Sequence, residues 1–146
     1  MIRTASDFST QIRVRYSEID GQKIVFNSRY LEYADVVVTE FWRWAAIDDL
    51  GPEWTEAEYN VVRAELNYSR PFRHDDLIEG RAHIARIGNS SMTTRVELYH
   101  AETGELHTVV DITSVQLDLE TRRPNAIPPR VRERLEALTA PATAGS

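Results

Sequence analysis

The chain has 146 residues, a net charge of −6 at neutral pH and no cysteine. That length favours one domain able to bury its own core. The missing cysteine excludes disulfides, thiolate metal sites and cysteine nucleophiles, and the negative balance argues against broad nucleic-acid binding, which relies on neutralising phosphates. Lys23 is the only lysine, so nearly every strong base is an arginine, a side chain whose geometry suits phosphate. The first residues, "MIRTASDFSTQ", contain no apolar run, and no stretch reaches the roughly 20 apolar residues of a membrane span. A cytoplasmic protein with neither a membrane nor a nucleic-acid partner is expected.

The segment "DFSTQIRVRYSE" alternates apolar and polar residues, as a half-buried strand does. It runs into "RYSEIDGQKIVFNSRY", which sets Glu18, Asp20 and Asn27 around a short apolar step. Beyond it, Tyr30, Ala34, Val37, Phe41, Trp44 and Ala45 recur at steps of three and four, predicting a helix over about residues 28–46. Asn27 is its predicted N-cap, with Phe26 and Leu31 as a hydrophobic staple. The β-branched run Val36 to Val38 lowers intrinsic helix propensity, so this helix needs burial to persist.

Residues 49–58 read as a loop with one helical turn. Four strands follow, "YNVVRAELNYSRPF", "LIEGRAHIARI", "MTTRVELYH" and "LHTVVDITSVQLD", separated by "RHDD", "GNSS" and "AETGE". Turn signals at such intervals predict an antiparallel meander. Pro71 cannot donate to a ladder and marks an edge or bulge. Pro128 and Pro129 then open a short helix striped by Val131, Leu135 and Leu138. Order is expected over about residues 8–138, with 139–146 a flexible tail. One helix covers a large sheet only if the sheet curls around it. The expected class is therefore α+β: one domain over residues 1–146, a long antiparallel sheet wrapped around a central helix, with a short C-terminal helix.

Taken singly, the polar residues have plain readings. An aspartate before a helix forms turns, and Tyr30, Phe41, Trp42 and Trp44 fit a core or an interface. His74, His83, His100 and His107 lack metal-ligand spacing, so neither metal nor cofactor is expected.

Taken together, three stretches resemble the hot-dog-fold thioesterases of the 4-hydroxybenzoyl-CoA thioesterase type. "EIDGQKIVFNSRY" carries the acid, the aspartate ten residues before a helix tyrosine, and the short apolar step. "NYSRPFRHDDLIEGRAHIARIGNSSM" matches the family's strand pair ending in Gly and Ser, and "VQLDLETRRPNAIPPRVRERL" its final strand, turn and helix start. The resemblance spans about residues 10–138. It implies an acyl-CoA thioesterase that releases free acid and CoA, with Asp20 as general base or nucleophile and Glu18 in support. Asn27 would polarise the carbonyl or position water, beside an oxyanion hole at the helix N-terminus. Tyr30, Arg73, Ser90 and Ser91 are the substrate-binding candidates it suggests, the last two near the pantetheine or nucleotide path. It also implies a homodimer or homotetramer whose sheets join edge to edge, with the sites at the interface.

This chain departs from the family at two positions. Lys23 stands where many members have Gly, and Asn27 where a subset has His, so an Asp–His pair is absent and a hydratase is disfavoured. A thioesterase acting on a carrier protein, and a non-catalytic acyl-CoA binder, are the alternatives.

Overall fold

The computed structural model describes residues 4–140. In chain order the elements are β1 (Thr10–Arg13), α1 (Arg29–Ala45), α2 (Pro52–Thr55), β2 (Glu58–Tyr68), β3 (Leu77–Ile87), β4 (Ser91–His100), β5 (Leu106–Leu117) and α3 (Pro129–Glu136). Single 3-10 turns lie at Ala5–Asp7, Tyr16–Glu18 and Ile47–Leu50. The strands form one antiparallel sheet in the order β1-β3-β4-β5-β2. The apolar face of α1 packs on β1, β3 and β4, and α3 closes against β3. This is the hot-dog arrangement of a long helix held by a curved sheet.

Burial on α1 follows the sequence period. Tyr30, Ala34, Val37 and Phe41 are buried, Tyr33 joins them, and Trp44 and Ala45 are half-buried. Gly80 lets helix and sheet approach closely, because a methyl group there would collide with the Val37 side chain. Phe8 packs edge-on against Phe41 and at a tilt against Trp44, closing the far end of the core.

Three expectations are corrected. The first strand covers only Thr10–Arg13, because 3-10 turns occupy both flanks of the alternating segment. The meander holds for β3, β4 and β5, but β2 pairs with β5 at the opposite edge. The chain from Ser69 to Asp76 therefore crosses the sheet instead of closing a hairpin, with Pro71 inside that crossover. The "RHDD" turn does form, held by the Arg73 N–H donating to the Asp76 carboxylate. The N-cap of α1 is Ser28 rather than Asn27, and no side chain caps it; Phe26 and Leu31, the expected staple, are both largely exposed. Of the expected tail, Thr139 bridges to Ile84, and residues 141–146 lie outside the described residues.

Candidate active site

Asp20 sits in the turn of a small hairpin. Its two sides are joined by the Phe26 N–H donating to the Glu18 carbonyl, by the Ile19–Val25 bridge and by the Asp20 N–H donating to the Ile24 carbonyl. The Lys23 N–H returns to the Asp20 carbonyl, which closes a four-residue turn. Lys23 then takes φ of 66°. A turn followed by a left-handed residue is a common three-residue hairpin closure, and glycine fits that last place best. The half-buried Asp20 accepts the Gln22 N–H at 2.8 Å through one carboxylate oxygen. The same bond is how a plain turn-forming aspartate would look.

Two residues earlier lies a different kind of acid. Glu18 is 3% exposed. One of its oxygens accepts the Arg15 N–H at 2.8 Å and the Tyr33 hydroxyl at 3.0 Å, and the other accepts the Arg15 guanidinium at 3.0 Å. Desolvation pushes the Glu18 carboxyl up, but these donors outweigh it and hold the group below the usual carboxylate range. Burial and the neighbouring Glu18 push the Tyr33 phenol well above its ordinary value, so it remains a donor.

The hairpin's return strand leads directly into α1. There the Arg29 N–H donates to the Phe26 carbonyl and the Tyr30 N–H to the Asn27 carbonyl. The N–H groups of Asn27 and Ser28 have no acceptor among the described residues. Free donors at the positive end of a 17-residue helix are suited to a developing negative charge. The Asn27 side chain is likewise unpartnered among the described residues and exposed. The Tyr68 hydroxyl, at the end of β2, donates to the Asn27 carbonyl at 3.2 Å, so the open edge of the sheet reaches the helix tip.

The crossover forms the other flank. Val25 donates its N–H to the Phe72 carbonyl, and Arg73 bridges to Ile24. Arg73 is therefore a neighbour of the Asp20 turn, and its exposed guanidinium has no partner among the described residues. Tyr30 is 2% exposed, and its hydroxyl accepts the Phe72 N–H at 3.1 Å, so this candidate binding residue belongs to the wall behind the site. Ser90 and Ser91 are not brought to the site within one protomer. They lie past the far end of β3, an 11-residue strand about 33 Å long, whereas Arg73 precedes its start. Among the described residues no group of three His, Asp or Glu side chains is placed to hold a metal, and no helix is long and apolar enough to cross a membrane.

Sequence reasoning missed Tyr33, Arg15 and Tyr68. Tyr33 lies one helical turn beyond Tyr30 and Arg15 three residues before Glu18, but only packing reveals that both converge on one carboxylate.

Comparison with known proteins gives the family and the fold. The sequence profile of the Thioesterase-like superfamily matches residues 14–135. The long-chain acyl-CoA thioesterase FadM of Escherichia coli (strain K12) is 30% identical over 134 residues, covering 88% of this chain and 97% of that protein. Among solved structures, the probable thioesterase YbaW of Escherichia coli superposes with a TM-score of 0.73 at 27% identity, covering 90% of this chain and 98% of that one. The PA5185 protein of Pseudomonas aeruginosa superposes with a TM-score of 0.77 at 26% identity, covering 93% and 94%.

Proposed function

The chain belongs to the thioesterase-like superfamily of thioester hydrolases, and from that premise we propose that it hydrolyses acyl-CoA to free acid and CoA at Asp20 and the tip of α1. The observation that carries the reading is the hairpin itself, which joins a carboxylate-bearing turn to the two unpaired N–H groups of Asn27 and Ser28. Attack on the thioester carbonyl creates an oxyanion, which those donors and the helix dipole stabilise. Asp20 either takes a proton from the attacking water or attacks the carbonyl itself to form an anhydride that water then opens. The thiol leaves readily, its pKa being about 8.5, so no second acid is needed. The Asn27 side chain is free to position the carbonyl or the water.

The long-chain activity of FadM supports an aliphatic acyl group, and this chain has exposed apolar side chains to meet one: Phe26, Leu31, Val36, Val61 and Tyr68. The unpartnered guanidinium of Arg73 suits a phosphate of CoA. The active form is a homodimer joined through the β2 edges. An antiparallel two-fold pairing there sets the Asn60 end of one β2 beside the Tyr68 end of the other. Asn60, Val115 and Ser91 share one register line across β2, β5 and β4, so the partner's Ser90 and Ser91 approach the site from the second copy. This accounts for candidates that one protomer keeps apart.

Asp20 bonding to Gln22 favours a second reading, a binder in which Asp20 merely shapes the turn. Asp20→Asn separates the two, because the asparagine carbonyl still accepts the Gln22 N–H while the charge is lost. Release of free thiol from a panel of acyl-CoAs is expected to fall about 100- to 10,000-fold, with the thermal midpoint unchanged. Wild-type turnover by this variant would remove Asp20 from the chemistry, and binding without thiol release by the wild type would establish the binder.

A further inference from the structure

We propose that Glu18 and Tyr33 are positioning residues: their buried bond clamps the Asp20 hairpin onto the body of α1 and fixes the carboxylate relative to the helix tip. The inference rests on the reading of Asp20 as catalytic. Gly21, Gln22 and Lys23 are exposed, so the turn itself gains little from packing. A two-stranded hairpin alone is marginal in water. Glu18 stands at its base, at the residue whose carbonyl accepts the Phe26 N–H. Its side chain reaches inward to a tyrosine hydroxyl one turn into α1, and both side chains are almost fully buried. Hairpin and helix thus share one anchor, and Asp20 lies two residues from it.

The two oxygens of Glu18 divide the work. One holds the geometry, by taking both the Arg15 N–H and the Tyr33 hydroxyl. The other takes only the Arg15 guanidinium, on a side chain 75% exposed and free to swing into water. A glutamine at this position keeps a carbonyl oxygen for the first pair and sets its amide N–H2 where the other oxygen accepted from Arg15, so the exposed guanidinium must swing away into water. The clamp therefore needs an acceptor at Glu18, not a charge, and this distinguishes it from an acid taking part in the reaction.

The test is steady-state hydrolysis of one acyl-CoA by Glu18→Ala, Glu18→Gln, Tyr33→Phe and Asp20→Asn, each with its thermal midpoint and its folded fraction by circular dichroism. Misplacing a catalytic group by about 1 Å costs about 100-fold, so Glu18→Ala is expected to lower kcat by that factor with KM nearly unchanged. Tyr33→Phe, which removes one hydrogen bond, is expected to lower kcat about tenfold. Glu18→Gln is expected to recover most of the kcat lost in Glu18→Ala. Equal losses in Glu18→Gln and Glu18→Ala would overturn the clamp in favour of a charge role. Losses that follow the unfolded fraction alone would reduce it to ordinary stability, with Tyr33→Phe, the mildest change, deciding if Glu18→Ala fails to fold. Wild-type kcat in Tyr33→Phe and Glu18→Ala alongside an inactive Asp20→Asn sinks the clamp only. Full activity in Asp20→Asn sinks the reading beneath it.

Discussion

The two halves of the sheet are built differently. Under α1, the inner residues of β3 and β4, among them Ile78, Ala82, Ile84, Val96 and Leu98, are almost completely buried, and the helix rests so close that Gly80 has no room for a methyl group. At the other edge, β2 leaves Val61 and Val62 more than half exposed and Tyr68 nearly so. Apolar side chains on a long open edge strand are a hazard for a lone protomer. That edge is also joined to the helix tip through Tyr68 and Asn27. The covered half supplies the stability of the protomer; the open half carries the surface that a second copy and a substrate would use. Stability and activity should therefore respond to different mutations.

The largest expected change is in the covered half. Phe41 is fully buried and meets the rings of Phe8, Trp42 and Trp44. Phe41→Ala should destabilise by about 3–5 kcal/mol, from lost transfer energy and the cavity left behind. That is a large share of a typical stability of about 5–15 kcal/mol. Chemical denaturation measures it, and a loss under about 1 kcal/mol would mean that this half is not where the core energy lies. KM for the remaining folded enzyme should hold.

A smaller change is expected at the hairpin. Lys23 adopts φ of 66°, a conformation that costs a residue with a Cβ about 1–2 kcal/mol. Lys23→Gly removes that strain but loosens the unfolded chain, which takes back about 0.4–1 kcal/mol. The net expectation is a gain near 0.5–1 kcal/mol by the same principles, read as a higher denaturation midpoint. A loss on replacement would show that the lysine side chain holds the turn in a way its backbone does not reveal.

Much of the covered half was legible in the sequence, because burial writes a period into it. Strands β3, β4 and β5 begin and end within about one residue of their apolar runs, and α1 differs from its expected span by one residue at each end. The placement of β2 was not legible. Its alternation and the "RHDD" turn suit a hairpin equally well, and only the pairing with β5 reveals the crossover. The reach of β1 was overestimated because the flanking 3-10 turns continue the alternation without pairing. At the site, Asp20 was visible through its motif, whereas the Glu18–Tyr33 bond joins residues fifteen apart on different elements and leaves no local pattern. Ser90 and Ser91 were grouped with Asp20 on resemblance, and the length of β3 separates them within one protomer.

The smallest expected change in protomer stability is the one that most sharpens the contrast between halves. Val61→Lys combined with Val62→Lys places two charges on exposed positions of β2, where substitutions usually shift stability by no more than about 0.5 kcal/mol. Neither side chain supports the core under α1. If β2 is the seam between copies, the two-fold pairing sets the added lysines against the Tyr68 end of the partner strand, and association must desolvate these charges. Sedimentation should then report a protomer for the variant and a dimer for the wild type. The thermal midpoint should rise with protein concentration only for the wild type, since association stabilises by mass action. Thiol release should fall steeply although Asp20, Asn27 and Glu18 are untouched, because the partner's Ser90 and Ser91 no longer reach the site. A variant that stays dimeric and active would move the seam elsewhere and leave the exposed valines of β2 unexplained.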